Sequence, residues 1–124
     1  MKASVEAAIR SSVKSSEVLP TPTGTATFAV DQLDAEGLSL LFGPKKTRTL
    51  LTWRCLEGVP GYLRGQGWVL VGANRDVNGD YGLDGYLKRS IKRQTANYVA
   101  VVLERAGILE LNRERPARVR LADR

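Results

Sequence analysis

The segment Val102-Leu103-Glu104-Arg105-Ala106-Gly107-Ile108-Leu109-Glu110-Leu111 changes periodicity in its middle. Together with Val99, the apolar residues Val102, Leu103 and Ala106 recur at three- and four-residue steps, the spacing of one helix face. Gly107 stands where a helix ends on a left-handed residue. Ile108-Leu109-Glu110-Leu111 has strand composition, Asn112-Arg113-Glu114-Arg115-Pro116 has turn chemistry, and Ala117-Arg118-Val119-Arg120-Leu121 alternates polar with apolar. The spacing therefore predicts a helix that starts at Gln94 or Thr95, ends at Arg105, and runs into a two-stranded hairpin with arginines at its tip.

Upstream, Leu83, Leu87 and Ile91 fall at four-residue steps with Tyr86 alongside, which predicts a short amphipathic helix over residues 83–91. Lys88, Arg89 and Lys92 lie near its end, where the helix dipole favours cations. Residues 74–82 read as a polar loop, 68–72 as a short buried strand, and 65–67 as a turn. Leu50, Leu51, Trp53, Cys55 and Leu56 among Lys45, Lys46, Arg48 and Arg54 suit an amphipathic helix over residues 45–58, which Val59-Pro60-Gly61 should break. Its basic entrance is unfavourable at a helix amino terminus unless something negative sits there. Residues 25–33 and 37–42, joined by Asp34-Ala35-Glu36-Gly37, predict a β-hairpin. Val5, Ile9 and Val13 make one narrow stripe on a helix over residues 3–16, and Leu19-Pro20-Thr21-Pro22-Thr23-Gly24 reads as a linker or an extended turn. Residues 1–24 thus read as a peripheral arm, for which disorder, packing on the domain and pairing with a second copy are all open.

The order of short helix, tight turn, longer helix and arginine-tipped hairpin resembles the winged helix-turn-helix superfamily. The resemblance covers residues 80–121 and points to a superfamily, not to one family. It implies an α+β fold: a winged helix-turn-helix body preceded by a β-hairpin and an amino-terminal arm. Residues 25–124 would form a single winged-helix-like domain with the added β-hairpin. Residues 45–58 would be the first helix of the unit, and residues 68–72 the strand that pairs with the wing. The long connection over residues 59–82 departs from the pattern and leaves the register of that strand open.

Composition narrows the function. The chain has 124 residues, 43% hydrophobic and 26% charged, the make-up of one globular domain that needs no metal or disulfide to hold a core. Lys and Arg outnumber Asp and Glu 19 to 13, for a formal charge of +6. Up to Pro44, Lys2, Arg10 and Lys14 face Glu6, Glu17, Asp31, Asp34 and Glu36, so the positive balance of this basic protein lies beyond that point. Such asymmetry is the footprint of a polyanionic partner. There is no histidine, which excludes Ser-His-Asp and Cys-His catalysis, HNH-type nuclease chemistry and the commonest zinc ligands. Cys55 is the single cysteine and reads as a small buried hydrophobe in a reducing cytoplasm. No apolar run reaches membrane-spanning length, and residues 1–18 have no continuous apolar core, so neither a membrane helix nor a signal peptide is expected.

In the superfamily, residues at the start of the second helix meet bases. With Val99, Val102, Leu103 and Ala106 in the core, the outward residues there are Arg93, Gln94, Asn97 and Tyr98. Arg reads guanine, and Gln or Asn reads adenine, by paired hydrogen bonds in the major groove. Lys88, Arg89, Lys92 and Thr95 would flank the groove on phosphates, and Arg113, Arg115, Arg118 and Arg120 would set the wing against the backbone. The function expected is sequence-specific binding of double-stranded DNA, for transcription regulation or DNA targeting, without catalysis, cofactor or metal. A homodimer through Val5, Ile9 and Val13 would supply two half-sites. A winged-helix protein-protein adaptor, or a binder of single-stranded nucleic acid or RNA, forms the second class of reading.

Two other constellations are weaker. Asp76-Val77-Asn78-Gly79-Asp80 begins like a calcium loop, but Tyr81 stands where the turn wants Gly and Leu87 where a bidentate carboxylate is needed. Asp76, Asp80, Asp84 and Lys88 could be gathered into a metal-dependent nuclease site, yet no strand carries the carboxylates at a fixed spacing, and an acid at Asp84 suits a first helical turn. Trp53, Trp68, Tyr62 and Tyr86 lie in apolar periodic stretches and read as core, not as a stacking platform for single strands.

Overall fold

The structure, a computed structural model, describes residues 5–21, 26–43, 45–71, 82–87, 95–113 and 117–122. In chain order the elements are α1 (Val5–Ser12), β1 (Val18–Pro20), β2 (Thr27–Leu33), β3 (Gly37–Phe42), β4 (Thr47–Thr52), α2 (Trp53–Glu57), α3 (Val59–Leu63), β5 (Val69–Leu70), α4 (Gly82–Leu87), α5 (Ala96–Arg105), β6 (Leu109–Asn112) and β7 (Arg118–Leu121). The fold is α+β, with a four-stranded sheet in the order β1-β2-β3-β4 and a three-stranded sheet in the order β5-β7-β6.

The hairpin read from residues 25–42 is present as β2 and β3, with Val30 opposite Leu40 and Leu33 opposite Leu38. Asp34 builds its turn. The Asp34 carboxylate accepts from the backbone N–H of Glu36 and Gly37 at 2.9 and 3.2 Å, which is the usual use of an Asp in a turn. Gly37 is required for a different reason: a Cβ there would collide with the Leu51 carbonyl on β4.

Residues 47–52 are a strand, not the start of the predicted helix. Thr47-Arg48-Thr49-Leu50-Leu51-Thr52 pairs along its whole length with β3, from Gly37↔Thr52 to Phe42↔Thr47. β-Branched threonines fit a pleated surface, and Thr49 and Leu51 point inward with Leu38 and Leu40. The strand also removes the misplaced cations from a helix entrance: Arg48 instead donates to Asp31 at 2.8 Å and to the Ser39 hydroxyl at 3.1 Å. Helix begins only at Trp53, where the Thr52 hydroxyl accepts from the Cys55 N–H at 3.2 Å. Val59-Pro60-Gly61 does not end helical structure but opens α3, because Pro60 sits in its first turn, where a missing N–H costs nothing.

The carboxy-terminal elements follow the expected order. α5 is closed beyond its Ala106 cap by Gly107, whose φ is 78°. The Gly107 N–H donates to Glu104 O, and Ile108 N–H to Leu103 O, the paired bonds of a Schellman cap. β6 then pairs with β7 from Leu109↔Leu121 to Asn112↔Arg118, and β7 pairs on its other edge with β5 through Val69↔Val119 and Leu70↔Arg118.

One apolar cluster joins both sheets and the helices. The amino-terminal helix belongs to it: Val5, Ile9 and Val13 are 3%, 0% and 1% exposed. α1 packs on α2 and α5, and the Glu57 carboxylate caps it, accepting from the N–H of Val5 and Glu6 at 3.0 Å each. An acid at the positive end of the helix satisfies amides that would otherwise be orphaned. Of the three possibilities open for the arm, packing on the domain is the one realised, because its only apolar stripe is spent there. The side chains named for contact with a second copy are therefore inside this chain's own core.

Candidate nucleic-acid interface

α5 carries two of the four expected base contacts, Asn97 and Tyr98. Ala96, Val99, Ala100, Val101, Val102 and Leu103 are all buried, so its free surface is narrow. Asn97 is exposed at the amino-terminal turn, and no hydrogen bond holds its amide among the described residues. Arg105 is exposed at the other end and pairs with Glu17 at 2.6 Å. Between them Glu104 receives the Arg113 guanidinium in a two-pronged pair, one bond of it 2.7 Å long.

Two of the predicted contacts need correction. Tyr98 is half-buried and does not stand free on the outer side of the helix: its ring stacks on Phe42 at 4.4 Å and tilts against Phe28 at 5.0 Å. The β2-β3 hairpin thus covers that side of α5, a tertiary contact that helical periodicity does not contain. Thr95 is fully buried, so its side chain cannot touch a phosphate. What Thr95 contributes is its carbonyl, which accepts from the N–H of Tyr98 and Val99 at 3.0 Å and starts the helix. Arg93, Gln94, Lys88, Arg89, Lys92 and Arg115 lie outside the described residues, as do Asp76, Asp80 and the side chain of Asp84. Among the described residues no group of His, Cys, Asp and Glu is arranged to hold a metal ion, and no helix is long and apolar enough to cross a membrane.

The wing arginines differ from one another. In β7 Val119 points inward, while Arg118 and Arg120 point outward. Arg120 forms two 3.1 Å bonds to Glu110 on the neighbouring strand. Hydrogen bonding from Arg120 holds the Glu110 carboxyl below its ordinary pKa, and bonding to Glu104 raises that of Arg113. Arg118 has no acidic partner among the described residues. Exposed pairs like these are weak, so a phosphate could displace the carboxylates at small cost.

Trp68, expected in the core, is 41% exposed, while Trp53 is 7% exposed. Trp53 donates its indole N–H to Asp34 O at 2.7 Å, and Tyr62 and Tyr86 pack on each other at 4.9 Å, so those three do belong to the interior or its margin. Arg120 lies over the Trp68 ring, 4.6 Å from its centre. The strand register accounts for this: with Val69 opposite Val119, Trp68 and Leu70 share a face with Arg118 and Arg120. The run Trp68-Val69-Leu70-Val71 alone, apolar throughout, conceals which side is wet.

Compared with known proteins, the chain matches no family model, no curated protein and no solved structure.

Proposed function

We propose that the chain is a non-catalytic, sequence-specific binder of duplex DNA built as a winged helix-turn-helix. The observation that carries this reading is connectivity: a strand, two helices and a hairpin, with the last strand inserted between the first and the second. That arrangement supports α5 as the groove helix and β6-β7 as the wing. The charge of +6 supports a polyanionic partner. Because Tyr98 is covered, only the amino-terminal end of α5, with Asn97 at its exposed edge, would enter the major groove. Arg113, Arg118 and Arg120 would meet phosphates from the wing.

A second reading is favoured by the covering of α5: a protein-protein adaptor that uses the same unit and never inserts the helix. Gel shifts on random duplex DNA at several salt concentrations separate the two. For a binder that neutralises phosphates, the logarithm of the affinity falls linearly with the logarithm of the salt concentration. An absence of duplex binding at low salt would overturn the first reading and leave the adaptor.

A further inference from the structure

We infer that the outer face of the β5-β7-β6 sheet is a second binding surface, which takes unpaired bases of single-stranded DNA by stacking on Trp68. It does not depend on the groove contact proposed for α5, although it shares Arg118 and Arg120 with the wing contact proposed for duplex phosphates.

Strand alternation assembles the surface. Val69 and Val119 pair inward, so Leu70 and Arg118, which also pair, lie outward. Glu110 pairs with Arg120, and Asn112 with Arg118, so these are outward too. Trp68, immediately before β5, extends this face and meets Arg120. The result is a mixed patch of an indole, an aliphatic side chain, two guanidinium groups, a carboxylate that holds one of them, and an amide.

Three features point to nucleic acid bases. Among the described residues, Trp68 and Val18 are the large hydrophobic side chains left exposed, and of the two only Trp68 offers an aromatic ring. Its orientation is held, since Glu110 anchors Arg120 and Arg120 lies over the ring; a ring already held loses little freedom when a base stacks on it. Next to it Arg118 carries a charge with no acidic partner among the described residues. A strand's phosphates complement that charge, and every base has a face that can stack on an aromatic ring or a guanidinium. A duplex keeps its base faces inside its own stack, so this patch selects unpaired strands.

The test is titration of the full chain with a short fluorescein-labelled oligothymidylate, read by anisotropy and by tryptophan emission. Binding should quench emission, and the quench should disappear in Trp68→Phe, which keeps a stacking ring and most of the affinity while buried Trp53 still emits. Trp68→Ala should weaken binding roughly tenfold or more, the usual loss of one stacked base. An abasic oligonucleotide of equal length should bind as weakly as the Ala variant does to the normal strand. Melting curves of both variants should match the parent chain, since Trp68 lies at the surface. Equal affinity for abasic and normal strands, an unchanged quench in Trp68→Phe, or quenching by duplex as strong as by single strand would each overturn the proposal. Single-strand quenching that persists when no duplex is bound would remove only the duplex reading.

Discussion

Tyr98 of α5 stacks on Phe42 of β3 with ring centres 4.4 Å apart and planes 24° from parallel. That contact joins the hairpin to the helix expected to face DNA, and it makes one body of segments that look independent in the chain. It also half-buries a residue that helical phase alone places on the polar side.

Tyr98→Ala should therefore destabilise the fold by about 2–4 kcal/mol, from lost burial and two lost ring contacts. Tyr98→Phe should cost under about 1 kcal/mol, because the rings remain. Urea denaturation of the two variants measures both. A Tyr98→Ala variant as stable as the parent, with weakened DNA binding, would return Tyr98 to the interface.

The amino-terminal helix should behave as core. Ile9→Ala should cost about 2–5 kcal/mol, as expected for a fully buried aliphatic side chain. Glu57→Ala should cost about 0.5–2 kcal/mol by uncapping α1 from a distance of 52 positions in sequence. Thermal melts decide the matter: if removing residues 1–17 leaves the melting temperature unchanged, α1 is peripheral after all.

At the proposed groove, Asn97→Ala should cost about 1–3 kcal/mol on the best duplex site and much less on random duplex. Stability should change by less than about 0.5 kcal/mol, because Asn97 is exposed. Arg118→Gln is the contrast. Its loss should weaken both duplexes alike and reduce the salt slope by about one. Equal losses on both duplexes for Asn97→Ala would demote that residue from base reader to general contact.

The pH dependence of the wing follows from Glu110. Its carboxyl is lowered chiefly by the hydrogen bond from Arg120 and also by that residue's charge. A carboxylate favoured in the folded state stabilises fully above the ordinary glutamate range, and that contribution is lost as pH falls through the depressed folded value. From neutral pH down to the ordinary range the Glu110–Arg120 pair should stay intact, and only further acidification should open it. Carbon-detected NMR of the Glu110 carboxyl should show a midpoint below that of an unstructured glutamate. Arg120→Gln should bring the midpoint back up, and an identical midpoint in the two proteins would show that Arg120 is not the cause.

Some of this architecture is local and was legible. The helix that ends at Gly107 follows from three- and four-residue spacing and from the one residue type that accepts a positive φ without strain. The turn at Asp34 follows from a side chain that bonds its own backbone. The alternation Arg118-Val119-Arg120 orients the last strand, and the missing histidines dispose of whole classes of catalysis without any coordinates. In each instance the cause lies within a few residues of the effect.

The sequence by itself determined the types of the carboxy-terminal elements, the hairpin and the chemistry the chain cannot perform. Only the tertiary structure decided that residues 47–52 extend a sheet. Their apolar residues fit a helical or a pleated face, and the choice rests on the backbone bonds offered by β3. It alone also buried Ile9, covered Tyr98 and left Trp68 in water. Each of these depends on which remote surface arrives opposite the residue, and burial is a property of that pairing, not of the local pattern.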